Sequence, residues 1–393
     1  MIKRNYDPKP LFLERMKELL PDKKDFDSYM EILKKDPVRS LRCNTLKITP
    51  ENLKKRLENK GWKIKIPFRD YPEIMIVEGK WENSVNDKSS INNDKNNCEL
   101  KRGNNLISGG RRGSGALVGG AVDSKIGLVD LSPGELGRAL EHLLGYYYIQ
   151  ELASMLPVLV LAPKPGEKVL DICASPGSKT TQIASKMENT GLLFANEVKF
   201  GRIKILSANT ERCGVMNMII TRRDGIALCK RFKEGNFISL EPNSRENLIK
   251  RNLSPLYFDK ILLDAPCSGE GTIRSVPKGL EMWNIKTIEN LSKLQKSLIA
   301  SAIEILKPGG ELVYSTCTHA PEENEGVIDF ALKNFNVKVE KTSLPIKVHQ
   351  GISEWKGDKY SKEVKLAHRI YPQDADTEGF FLVKIKKISE KIR

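Results

Sequence analysis

From Gly166 onward the chain repeats one pattern: a short apolar run, a loop of small or polar residues, then a helix. This repetition constrains the fold more than any other feature. Glu167–Asp171 (EKVLD), Leu192–Glu197, Val215–Thr221, Phe258–Asp264 and Gly310–Thr316 read as strands. Helices are predicted from Thr180 to Met187 and over 199–210. Strands alternating with helices specify an α/β fold, a doubly wound and mainly parallel sheet of Rossmann-like form. Phe380–Ile385 is expected to close that sheet as an edge strand.

In such sheets ligands bind just beyond the carboxyl ends of the strands, so each strand end is a candidate site. The first leads into DICASPGSKT at 171–180, where small residues and a helix start let backbone amides approach a ligand under the helix's partial positive charge. The loop is neither G-x-x-x-x-G-K-[ST] nor G-x-G-x-x-G, which argues against a nucleoside triphosphate or NAD. The second strand ends in Glu197, placed to accept hydrogen bonds from a ribose diol, and the third stops just before Asp224, where a carboxylate suits an adenine amino group. Carboxylates without a diphosphate loop select a nucleoside that carries no phosphate. S-adenosylmethionine meets that description.

The fourth strand feeds ILLDAPCSGEGT at 261–272, which delivers Asp264 and the thiol of Cys267 to a loop kept open by two glycines. The fifth feeds YSTCTHAPEENE and brings Cys317. Either cysteine alone reads equally as a small core residue. Together, at neighbouring strand ends beside a methyl donor, they point to a pyrimidine whose carbon 5 is too electron-poor to be methylated directly. A thiolate added at carbon 6 makes carbon 5 a nucleophile. Asp264, bonded to ring nitrogen 3 or the exocyclic amine, would stabilise the charge that develops, and a second cysteine or a water would serve as base. Spacing leaves open which sulfur attacks.

The rest of the chain bears on the partner. Among its 393 residues, 65 Lys and Arg outnumber 50 Asp and Glu, a net charge of +15 that favours a polyanion over a neutral metabolite. Residues 1–70 hold 19 of the basic side chains against 11 acidic ones. Helical spacing over Leu11–Leu20 and Phe26–Lys35, alternation within Val38–Ile48, a helix over Pro50–Asn59 and a strand over Trp62–Ile66 predict a basic α+β unit over 1–80. Its RCNTLK at 42–47 sets an arginine, an asparagine and a threonine on a strand, either as ordinary sheet residues or as phosphate and sugar contacts. Asn, Ser, Lys and Gly dominate 81–123, which reads as a flexible insertion whose GGRRG could touch nucleic acid by charge. Domain boundaries are expected at 124 and 388, with a connecting helix over 140–162 broken near Gly145 and Pro157. The seven cysteines lack metal-ligand spacing and no signal peptide or long apolar span is present, so a cytoplasmic protein without metal, disulfide or membrane is expected.

DICASPGSKT, LLDAPCSGEGT, STCTHAPEENE and the terminal HRIYPQDADTEGFF together closely resemble the Fmu/Nop/Sun family of RNA cytosine-carbon-5 methyltransferases, nearest to the archaeal-type transfer RNA enzymes. The resemblance runs from about Arg42 to the last strand, omitting the insertion. It implies that Cys317 is the nucleophile and that Cys267 assists product release. It further implies donor contacts from Cys173, Ala174, Ser175, Pro176, Gly177, Ser178 and Lys179, then Glu197, Arg202, Asp224 and Asp264, with Lys179 and Asp264 also holding the base. Two positions depart from the pattern: Ser178 stands where glycine is common, and Glu197 where aspartate is commoner. Expected partners are S-adenosylmethionine and RNA, transfer RNA ahead of ribosomal RNA, for a monomeric enzyme. A catalytically silent RNA-binding protein and a small-metabolite methyltransferase are the competing classes.

Overall fold

The computed structural model describes residues 8–81, 127–236 and 254–392; the insertion expected over 81–123, with its GGRRG, lies almost wholly outside the described residues. In chain order the amino-terminal elements are α1 (Pro10–Leu19), α2 (Lys23–Ile32), β1 (Arg39–Cys43), α3 (Pro50–Glu58), β2 (Trp62–Lys65), β3 (Ile74–Trp81), β4 (Leu128–Val129), α4 (Glu135–Arg138), α5 (Leu140–Leu143) and β5 (Tyr147–Ile149). Next come α6 (Leu152–Leu161), β6 (Lys168–Asp171), α7 (Ser178–Lys186), β7 (Leu192–Asn196), α8 (Phe200–Cys213), β8 (Met218–Thr221), α9 (Gly225–Lys233) and β9 (Phe258–Asp264). After them run α10 (Gly279–Met282), α11 (Ile285–Glu304), β10 (Leu306–Thr316), α12 (Glu325–Asn334) and β11 (Phe335–Glu340).

The large sheet is the Rossmann-like one: β10, β9, β6, β7 and β8 lie side by side and pair in parallel. Its strands are apolar on both faces because both are covered. Within β9, Ile261 and Leu263 join Phe232, Leu298 and Ile299 on one side, while Leu262 joins Leu156, Ile183 and Val313 on the other. Side chains alternate along a strand, so three consecutive apolar residues feed two cores. Burying each contributes about 1.5–3 kcal/mol.

Several expectations are corrected. Phe380–Ile392 is no edge strand: it pairs antiparallel with β10, with β11 and with His368–Ile370. Its inner residues Phe381, Leu382, Val383 and Ile385 are apolar and fully buried, which an edge would not require. Over 140–162 the break expected at Gly145 is present, since Gly145 adopts φ +72° and a side chain there would overlap the Arg212 carbonyl, but a strand and not a helix comes next. β5 follows and pairs with β1, so the stretch before α6 completes the amino-terminal sheet. Pro157 does not break α6, because the helix is apolar nearly all round and held by burial.

Helices α1 and α2 do not join the α+β unit placed at 1–80. Their apolar faces (Phe12, Met16, Tyr29, Leu33) pack against Ile273, Trp283, Ala320 and Tyr371, beside the loops that follow β9 and β10. Arg15 adds a two-pronged pair to Glu322, at 3.0 and 2.7 Å. Nor does RCNTLK present Arg42 and Asn44 to a ligand. Arg42 is 2% exposed and donates to the Ser178 carbonyl (2.7 Å), to Thr181 Oγ1 (2.7 Å) and to Gln150. Asn44 donates to the carbonyls of Gly145 and Cys213, both at 2.8 Å. A charged side chain that finds enough carbonyl and hydroxyl partners is retained in the interior. These two residues join the amino-terminal sheet to α7 and α8.

Candidate active site

β6 ends at Asp171 and the chain enters α7 through CASPGS. Gly177 caps the helix at φ +104°, and a side chain there would come within 3.1 Å of Leu206 Cδ1, so the tight turn requires glycine. The first amides of α7 thus face the loop. Beneath it Thr180 Oγ1 donates to Asp171 Oδ2 at 2.7 Å, while Asp171 Oδ1 is buried without a hydrogen-bond partner. Burial pushes that carboxyl up to about 7. The Cys173 thiol is also pushed up, chiefly by burial and then by Asp171 and Asp264, which suits a neutral wall and not a nucleophile.

Glu197 follows β7 and is 3% exposed. It accepts the Lys199 amide at 2.8 Å and pairs with Arg202 Nη1 at 3.1 Å. Arg202 Nη2 donates to the Ser175 carbonyl (2.6 Å) and Ser175 Oγ donates back to the Arg202 carbonyl (3.0 Å), so this pair binds the Glu197 corner to the first loop. Asp224, after β8, is exposed, and its Oδ1 accepts the amides of Ile226 and Ala227 at 3.1 and 3.0 Å. Ala174 and Gly177 are buried in the loop, Pro176 is exposed, and the Ser178 carbonyl is turned toward Arg42. Carboxylates at the ends of β7 and β9 and just past β8 would repel a phosphate chain, accept from hydroxyl and amino groups, and favour a cationic sulfonium. This donor set fits S-adenosylmethionine.

The other half of the site lies over β9 and β10. In their parallel register Ser315 stands opposite Asp264, and Ser315 Oγ donates to Asp264 Oδ1 at 2.8 Å. Lys179 Nζ, from the first turn of α7, donates to Asp264 Oδ2 at 2.7 Å and to Ser154 Oγ at 2.8 Å, and lies 5.4 Å from the centre of the Phe380 ring. Three residues beyond Asp264, the Cys267 sulfur is 3.3 Å from that of Cys317. The hydrogen shared with Cys317, followed by burial, holds the Cys267 thiol well above its ordinary range. The two cysteine loops are joined by Gly271 N to the Cys317 carbonyl (2.9 Å) and Ser268 Oγ to Thr318 Oγ1 (2.7 Å). Gly379 N donates to the Gly271 carbonyl at 2.8 Å, a backbone contact that a side chain on either glycine would obstruct. Behind them Glu323 accepts the Ser268 amide (3.0 Å) and Gln295 Nε2 (2.8 Å), and burial pushes its carboxyl up to about 7.

Among the residues singled out from the sequence, Lys179 with Asp264, Cys267 with Cys317, and Arg202 with both Ser175 and Glu197 are in direct contact, while Asp224 accepts amides of its own helix. Four neighbours were not anticipated: Ser315, Ser154, Phe380 and Glu270, the last accepting Trp283 Nε1 at 2.6 Å and Thr318 Oγ1 at 3.1 Å. Ser315 lies two residues before Cys317 on the strand beside β9, but the register that sets it opposite Asp264 is fixed only by the sheet. The other three lie far along the chain from what they touch. Among the described residues no group of three or more His, Cys, Asp or Glu could hold a metal ion, and no helix is long and apolar enough to cross a membrane.

Comparison with known proteins places this arrangement. The family model for 16S rRNA methyltransferase RsmB/F matches residues 158–386. A tRNA (cytosine(49)-C(5))-methyltransferase of Pyrococcus abyssi is 46% identical over 251 residues, 64% of this chain and 73% of that protein. Ribosomal RNA small subunit methyltransferase F of Vibrio parahaemolyticus is 34% identical over 96% of this chain, which spans 62% of that relative's length. The crystal structure of NSun6 from Pyrococcus horikoshii with SFG superposes with a TM-score of 0.68 at 25% identity, covering 97% of this chain and 98% of that one. The chain belongs to the RsmB/F family of S-adenosylmethionine-dependent RNA cytosine-carbon-5 methyltransferases.

Proposed function

We propose that the protein methylates carbon 5 of a cytosine in transfer RNA through a covalent bond between Cys317 and carbon 6 of the base. The observation that carries this reading is the pair of sulfurs 3.3 Å apart, next to a lysine–aspartate pair at the same strand ends. When bound, S-adenosylmethionine supplies an electrophilic methyl group, and Glu197, Asp224 and the 173–178 loop would hold it. The family resemblance assigns attack to Cys317 and product release to Cys267, and the hydrogen shared between the two thiols, with burial, favours the protonated form of Cys267.

Cys317 as thiolate adds to carbon 6 and the ring's electrons move to carbon 5. Asp264 accepts from the exocyclic amine and Lys179 donates to an acceptor atom on the edge of the ring, so charge that develops meets fixed partners. After carbon 5 is methylated a water takes its remaining proton as base, the electrons of that C–H bond restore the carbon 5–carbon 6 double bond, and the carbon 6–sulfur bond breaks with its electron pair returning to Cys317. Cys267 helps expel Cys317 by supplying a proton to it. Transfer RNA is favoured by the 46% identity to the Pyrococcus abyssi enzyme; ribosomal RNA is the second reading, favoured by the match to the Vibrio enzyme over nearly the whole chain.

Labelled methyl transfer to separate pools of transfer and ribosomal RNA, followed by bisulfite sequencing, tests both. Label in 5-methylcytosine of transfer RNA is expected. Label confined to ribosomal RNA selects the second reading, and no ribonuclease-sensitive label removes both.

A further inference from the structure

We infer that Ser154, outside every motif of the site, is a positioning residue for Lys179. This rests on the base-holding role proposed above for that lysine.

An ammonium has three hydrogens. One of those on Lys179 goes to Asp264 Oδ2 at 2.7 Å and one to Ser154 Oγ at 2.8 Å, which leaves one for a substrate. The lysine is 8% exposed, so solvent is largely unavailable to replace a lost partner. Two fixed acceptors on a rotating group determine where its third hydrogen points. Asp264 alone leaves the ammonium free to turn about the axis of one bond.

Ser154 is itself firmly held. It lies in the first turn of α6, where Glu151 accepts its amide at 3.0 Å and Gln150 Nε2 donates to its carbonyl at 3.1 Å. The other oxygen of Glu151 accepts the Glu378 amide at 3.0 Å, from the segment that leads into Phe380. Phe380 in turn lies 5.4 Å from the Lys179 ammonium. The backbone of Ser154 is thus held at both its amide and its carbonyl, and the connecting segment reaches Lys179 through its hydroxyl.

Three variants test the assignment: Ser154→Ala, Ser154→Thr and Lys179→Met, alone and combined. Ser154→Ala is expected to lower kcat roughly 10- to 100-fold, the size of a lost hydrogen bond to a charged group, with little change in KM for S-adenosylmethionine. Ser154→Thr keeps the hydroxyl and should restore most of kcat. In the Lys179→Met background Ser154→Ala should add no further loss, because it acts only through the lysine. A wild-type kcat in Ser154→Ala, or an equal loss with and without the lysine, overturns the proposal. A readout without turnover separates this from failure of the proposed function. In the 15N-labelled free enzyme the Lys179 ammonium signal, assigned by its absence in Lys179→Met, should broaden in Ser154→Ala and persist in Ser154→Thr. Its persistence in Ser154→Ala ends the positioning role whatever RNA is methylated.

Discussion

The sulfurs of Cys267 and Cys317 are 3.3 Å apart although fifty positions separate them in the chain. The two thiols therefore share a proton and a cleft, and a division of labour between them can be read from single substitutions. Cys267→Ala should leave attack intact and slow release, so a covalent enzyme–RNA band accumulates on a denaturing gel. Cys317→Ala should give neither band nor product. The reverse pattern exchanges the two roles.

Lys179 and Asp264 form a mostly buried pair at 2.7 Å, with side-chain exposures of 10% and 27%. Lys179→Met removes the donor aimed at the base and leaves the carboxylate without its cation. Single-turnover transfer is expected to slow by about 100-fold or more, the cost typical of losing one oriented donor. A variant that transfers methyl groups at the wild-type rate removes Lys179 from the mechanism.

Burial raises the Glu323 carboxyl from 4.5 to about 7 in the folded protein. Between those two values the folded state holds a proton that the unfolded state has released. The contribution to stability is therefore complete below about pH 4, falls as pH rises through about 7, and then stays lost, on the order of 3 kcal/mol in all. Glu323→Gln should flatten this part of the profile in denaturant titrations at pH 5 and 8, and Asp171, raised to about 7 for the same reason, should retain its own share. An unchanged slope would mean that Glu323 ionises normally.

Arg42, which the sequence left open as an ordinary sheet residue or a phosphate contact, is buried between β1 and α7. Arg42→Ala leaves the Ser178 carbonyl and Thr181 hydroxyl without that donor and should cost about 3 kcal/mol of stability. It should leave the salt dependence of RNA binding unchanged, because counterion release follows only from cations that meet phosphates. A shallower slope of log affinity against log salt in this variant would return Arg42 to the RNA interface.

Sequence alone was enough for the parallel sheet, the five strand-to-loop junctions and the chemical groups at their ends. Each of these is set within a few residues, by apolar runs, by glycine and proline at turns, and by the rule that such sheets bind ligands at their carboxyl ends. It did not determine what the amino-terminal residues pack against. Arg42 and the faces of α1 and α2 carry the same local pattern whether they meet solvent, RNA or protein, and only the chain's closure around Ser178, Trp283 and Tyr371 decided. The pairing of Phe380–Ile392 with β10 and β11 was decided the same way, since an apolar strand reads alike at an edge or inside. The contacts of Lys179 with Ser154 and Phe380 were also left to tertiary structure, because hydrogen bonds and ring contacts between distant segments leave no periodic trace in either.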